Sequence, residues 1–180
     1  MFRFALYILC ATFSTPLILA EEKPLPSPIW QSTANDGYDL GGEKYERERF
    51  DAAAVARGCV EGYRLAYGSA QGALAPRSFE VTVPAEPVPV LGAADLFAQM
   101  LDKLVENALD FAPEGSAIRI SLATVGRRAR LVVTNEGPPI PAAMLPRLFD
   151  AMVSARDKGQ GRGGHLGLGL AVVRLVAEFH

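Results

Sequence analysis

The sequence predicts an α/β fold, a sheet with one buried face packed by helices, and three stretches carry the prediction. The first is "ADLFAQMLDKLVENALDFA". There Phe97, Met100 or Leu101, Leu104, Ala108 and Phe111 fall on one stripe at the helical period, and Pro113 with Gly115 ends the helix. The second is the pair "AIRISLA" and "ARLVVT". Alternation turns Ile118, Ile120 and Leu122 of one strand, and Leu131 and Val133 of the next, to a common side. With a turn around 125–127 this is a hairpin with one buried face. The third is the apolar closing run "LAVVRLVAEFH", a helix from about residue 168 to the end.

At 180 residues the chain has room for one ordinary domain with appendages. It is 49% hydrophobic and 21% charged with a formal net charge of −2, which describes a globular protein and, in the absence of a basic tract, excludes a general nucleic-acid binder. Cys10 and Cys59 are far apart and in segments of different character, so they indicate neither a disulfide framework nor a metal knuckle. A metal would have to use oxygen ligands.

Residues 1–20 place Arg3 ahead of about 17 uncharged, mostly apolar residues that end before "EEK". This reads as a signal peptide or a membrane anchor, and so as a possible membrane association. Residues 21–45 are proline-rich, then polar, and read as a linker. Residues 46–75 form a helical segment with Asp51 as N-cap and Val55, Cys59 or Val60, Tyr63 and Tyr67 at helical spacing, weakened by Gly58 and Gly62. From residue 76 to 180 runs the main unit. It opens with a short strand at 79–83 and an extended, proline-punctuated segment before the long helix.

Two groups of residues could carry chemistry. "GGHLGLGL" sets four glycines against the start of the closing helix, which suits either a phosphate held by backbone N–H groups or a flexible, tightly packed connection. In the long helix, Lys103, Asn107, Asp110 and Phe111 lie close to one face beside the apolar stripe. Asn107 is either a helix-surface residue or an oxygen ligand to Mg²⁺, which prefers hard oxygens shared with substrate phosphates.

Read in order, "LVENALDFA", "VVTNEGPPIP", "LPRLFDAMV" and "GGHLGLGLAVVRLVAEFH" resemble the N box, first glycine box, F box and second glycine box of the ATP-binding catalytic domain of sensor histidine kinases. The resemblance covers about residues 79–180. It implies a Bergerat-type ATP-binding fold, a two-layer sandwich of a mixed sheet packed by helices, with ATP and Mg²⁺ as cofactors. It makes Asn107 the metal ligand and Phe111 part of the adenine pocket wall. Asn135 stands where the family usually has an aspartate that accepts from the adenine amino group, Gly137 permits close approach of the base, and Pro139 replaces a second glycine. Residues 141–164 become a lid anchored by Phe149, and Gly164, Gly167, Leu168 and Gly169 line the phosphates. Lys103 stands at the family's first N-box asparagine and is either a phosphate contact or a solvated charge; Asp110 stands where a cation is common.

The resemblance also implies what lies elsewhere. The phosphorylated histidine belongs to an upstream dimerisation domain, and a response regulator receives the phosphoryl group. Here His165 lies in the glycine-rich loop and His180 at what reads as a frayed end. The family domain continues with further strands after the last helix, so the sheet is expected to lack its last strands and to expose an edge. Topology conflicts as well: an anchor would put the catalytic domain in the bacterial cytoplasm under the inner membrane, whereas a signal peptide would export it. The rival functions are an inactive ATP-binding module or gene fragment of the same fold, and an exported envelope protein that meets no nucleotide.

Overall fold

The central sheet has four strands in the order β1 (Arg3–Cys10), β8 (Arg128–Asn135), β7 (Ala117–Val125) and β5 (Ser78–Thr82), and its heart is the hairpin the alternation predicts. In the computed structural model, which describes residues 3–10, 38–39, 44–68, 76–150 and 168–180, β7 (Ala117–Val125) and β8 (Arg128–Asn135) pair antiparallel. The register sets Ile120 opposite Val133 and Leu122 opposite Leu131. All four are buried, with Ile118 and Ala129, because alternate side chains of paired strands share a face. Gly126 turns the hairpin at φ 58°, a left-handed conformation that glycine adopts without strain. Strand β5 (Ser78–Thr82) adds in parallel beside β7.

Three helices cover the buried face. Helix α1 (Ala52–Tyr67) begins at the predicted cap: the Asp51 carboxylate accepts from the backbone N–H of Ala53 at 3.0 Å. The same oxygen accepts from the Val88 N–H at 2.8 Å, so the cap also fixes the chain 37 residues further on. Helix α2 (Ala94–Phe111) buries Phe97, Met100, Leu101, Leu104 and Ala108. The Tyr63 hydroxyl of α1 donates to Asp102 of α2 at 2.5 Å. Burial first, then this hydrogen bond, pushes the phenol pKa far up and keeps it a donor. Helix α3 (Gly169–Phe179) sinks Val173, Val176 and Phe179 into the same core and packs along α2. The result is an α+β two-layer sandwich.

Other features depart from the local reading. The proline-punctuated stretch contains a strand, β6 (Pro89–Gly92), paired antiparallel with β4 (Glu48–Asp51). Within the stretch expected to be linker, β2 (Tyr38–Asp39) pairs with β3 (Lys44–Tyr45), which reaches its end. The outer edge of β8 is not open: β1 (Arg3–Cys10) runs parallel to it from Arg3 opposite Arg128 to Cys10 opposite Asn135. Among the described residues, no helix is long and apolar enough to cross a membrane.

His180 corrects the expectation of a frayed end. It is buried, 9% exposed, with its ring edge-on to Phe50, Phe97 and Phe179. Nδ1 lies 2.7 Å from the Val176 carbonyl, and Nε2 lies 3.2 Å from the Ala93 nitrogen and 3.0 Å from the Ala93 oxygen. Burial lowers its pKa, an effect opposed by the two carbonyls. A neutral ring with its proton on Nδ1 donates to Val176 and accepts from Ala93 N–H. The end of α3 is thereby held against the start of α2, where a Cβ at Gly92 would lie 2.0 Å from the imidazole.

Candidate nucleotide site

Two of the elements that converge on the site are rooted in the core, and their ends are what the site uses. The apolar stripe of α2 fixes the helix on the sheet, which leaves Lys103 exposed and Asn107 half-buried one turn further on. Asp110 is exposed and Phe111, the last helical residue, is half-buried. The helix stops there because Ala112 turns to an extended backbone while its N–H still bonds Ala108 O at 2.9 Å. Arg77 then reaches across to the carbonyls of Ala112 and Pro113, satisfying acceptors that the helix end leaves open.

Strand β8 ends at Asn135, 4% exposed, whose side-chain nitrogen donates to Glu136 O at 3.2 Å. Two residues on, the chain passes so close to α2 that a Cβ on Gly137 would stand 2.7 Å from the Phe111 carbonyl oxygen and 3.0 Å from Asn135 Nδ2. Phe111, Asn135 and Gly137 therefore meet at one place. The requirement for glycine at 137 is visible here as a backbone packed on a helix end.

Beyond Gly137 the chain forms a short 3₁₀ helix (Ala142–Arg147), then Leu148, which is buried, and Phe149, which packs against the core. Asp150 lies between Arg147 at 3.5 Å and Arg174 of α3 at 4.0 Å, an arrangement that ties the base of the expected lid to the last helix. This tie had no local signal, since Arg174 is one of two charged residues in an apolar run, with Glu178 one turn on as its evident partner. The remainder of the lid, with Gly164, Gly167 and His165, lies outside the described residues.

On the expected phosphate side, Leu168 is exposed and Gly169 opens α3, where a Cβ would meet none of the described residues. Among the described residues, no side chain caps this helix start. His180 holds the other end of α3 at the beginning of α2, and the two helices pack together. Lys103 has a partner within its own helix: Nζ lies 2.8 Å from Glu106 Oε2. That ion pair is solvated, and a surface pair of this kind is worth about 0–1 kcal/mol, so it restrains the ammonium only weakly.

The donor set suits a hard cation. Among the described residues, no group of three His, Cys, Asp or Glu side chains could hold a metal by itself. Asn107 offers one amide oxygen at a half-buried position, which fits an ion such as Mg²⁺ that takes one or two protein ligands and the rest from phosphate and water.

Comparison with known proteins agrees with this architecture. Residues 92–180 match the family of histidine kinase-, DNA gyrase B-, and HSP90-like ATPases, and that part of the chain belongs to it. The chain carries a catalytic domain of the sensor histidine kinase type. It is 37% identical over 94 residues to the probable sensor kinase SilS of Salmonella typhimurium, covering 52% of this chain and 19% of the relative. It is 30% identical over 139 residues to the probable sensor histidine kinase TcrY of Mycobacterium tuberculosis, covering 77% of this chain and 28% of that one. The chain thus spans less than a third of the curated relatives it matches. Among solved structures, the mycobacterial sensor histidine kinase MprB superposes with a TM-score of 0.58 at 26% identity, covering 72% of this chain and 77% of that one. The catalytic domain of the histidine kinase ThkA shares the fold at 22% identity, with a TM-score of 0.57 over 73% and 79% of the two chains.

Proposed function

We propose that this domain binds Mg-ATP as the catalytic part of a two-component sensor histidine kinase, for phosphorylation of a histidine carried by a separate dimerisation domain and onward transfer to a response regulator. The observation that carries the reading is the convergence of Phe111, Asn135 and Gly137 at the joined ends of α2 and β8, with Asn107 one helical turn before Phe111. The four sequence boxes in family order support it.

In this reading Phe111 walls the adenine, and the Asn135 carbonyl accepts from the adenine amino group as a neutral acceptor. Asn107 holds Mg²⁺ through its amide oxygen. The bound ion supplies neutralisation of charge on the phosphates. The stretch around Gly164, Gly167, Leu168 and Gly169 lines the phosphates with backbone N–H groups, and the positive end of α3 favours their charge. Lys103 swings from Glu106 to add a point charge. Phosphoryl transfer then depends on an in-line acceptor. His180 cannot be that acceptor, since its ring is buried against α2 at the far end of α3. Because ATP is supplied in the cytoplasm, this reading favours an anchor over a signal peptide for residues 1–20, with the domain on the cytoplasmic side of the bacterial inner membrane.

Calorimetric titration tests the proposal. ATP should bind with Mg²⁺ and far more weakly with excess chelator, and Asn107→Ala should abolish that difference. Absence of ATP binding under both conditions would favour an exported protein that meets no nucleotide. Binding without phosphoryl transfer to an added dimerisation domain would favour the inactive module.

A further inference from the structure

The N-terminal segment has two incompatible uses. Its composition, about 17 uncharged residues after Arg3, suits a lipid bilayer. Its backbone, from Arg3 to Cys10, is a parallel edge strand bonded to the whole length of β8. A strand that leaves the sheet uncovers a row of N–H and C=O groups on β8. A segment paired to β8 cannot at the same time lie in lipid. We propose that residues 3–10 are an exchangeable strand: docked on the β8 edge they close the ATPase sheet, and inserted in a bilayer they leave that edge open.

Three observations bear on the exchange. The docked strand sits at the margin of the sheet, so it can depart without breaking the β7–β8 hairpin or the β5–β7 pairing. With the uncharged run in lipid, residues 21–37 still separate it from β2, a length of chain that spans up to about 60 Å when extended, so it can depart without dragging the domain. It also lies alongside α3, the helix that opens at Gly169, so its departure changes the packing of an element of the nucleotide site. The bilayer is the alternative that the uncharged run favours; a second copy of the chain offering its own strand is the competing occupant of the open edge.

Hydrogen exchange on the full chain, read at the amides of β8, tests this without reference to ATP. In buffer, the β8 amides facing β1 should be protected. Vesicles of phosphatidylethanolamine and phosphatidylglycerol should speed their exchange by about tenfold or more while residues 4–20 become protected. The double substitution Leu6→Pro, Tyr7→Pro removes two successive N–H groups, which alternate between the two sides of the strand, so one bond to β8 is lost whichever way Leu6 faces; it should speed exchange of the same amides in buffer with little effect on those facing β7. Unchanged β8 protection in chains bound to vesicles, or identical exchange in the double variant and the parent, would overturn the proposal. So would β8 protection in the double variant that rises with protein concentration, since that identifies a second copy as the occupant.

Discussion

The two ends of the candidate site are built differently. At the end proposed for the base, Asn135 is buried and the Gly137 backbone presses on the carbonyl of Phe111, so position is set by main chain packed on main chain. At the end proposed for the phosphates, Lys103 is exposed, Asn107 is half-buried, and α3 starts at a glycine whose Cβ position meets none of the described residues. The contrast teaches where this domain can change without unfolding. A base of fixed shape suits a rigid wall, whereas phosphates and a hydrated ion suit groups that can move to meet them.

The largest effect should come from the rigid end. Gly137→Ala puts a methyl group within 2.7 Å of a carbonyl oxygen, and overpacking of this kind costs about 1–3 kcal/mol. Thermal unfolding should show that loss, and adenosine binding should fall with it. If Gly137→Ala melts like the parent and still binds the base, the wall is not rigid.

Next comes the anchor that holds the end of α3 on the start of α2. His180→Ala removes a buried ring and its hydrogen bonds to Val176 and Ala93, a loss of about 2 kcal/mol measurable by denaturant titration. The same residue makes stability depend on pH. Its folded pKa is lowered by burial, so as pH falls below the unfolded value of about 6.5 the unfolded chain takes up the proton first. Stability should be complete above that pH and decline below it, and His180→Phe should flatten this part of the profile. A profile identical in both proteins would show that burial does not hold the ring neutral.

Changes at the adjustable end should leave the fold alone. Lys103→Ala breaks only a solvated pair with Glu106 and should shift stability by less than about 1 kcal/mol in calorimetry. Its expected effect is weaker binding of ATP relative to adenosine. Equal losses for both ligands would remove Lys103 from the phosphate side.

Much of the rigid frame was legible because it rests on local period. The α2 stripe and the inward residues of β7 and β8 follow from spacing alone, and all but Phe111, which sits half-buried at the helix end, are buried. The Asp51 cap was legible for the same reason. The burial of His180 was not, because its partner Ala93 lies 87 residues away and a terminal residue carries no local sign of being enclosed. Strand β6 was hidden by Pro89 and by Pro87 just before it, and its partner β4 holds a single large apolar residue, Phe50. The order of motifs indicated which residues meet, but the reason Gly137 must be glycine needed the position of the Phe111 carbonyl. The pairing of β1 with β8 could not be read from a segment whose composition suits a bilayer equally well.

The most direct test of the division between a fixed base end and a metal-dependent phosphate end is one pair of titrations. ATP is titrated into the parent and into Asn107→Ala, each with Mg²⁺ and with chelator, after confirming that both unfold at the same temperature. The account predicts that Mg²⁺ strengthens binding to the parent by about tenfold or more and leaves binding to Asn107→Ala unchanged. Equal affinity of the parent with and without Mg²⁺, or an undiminished Mg²⁺ effect in Asn107→Ala, would contradict it.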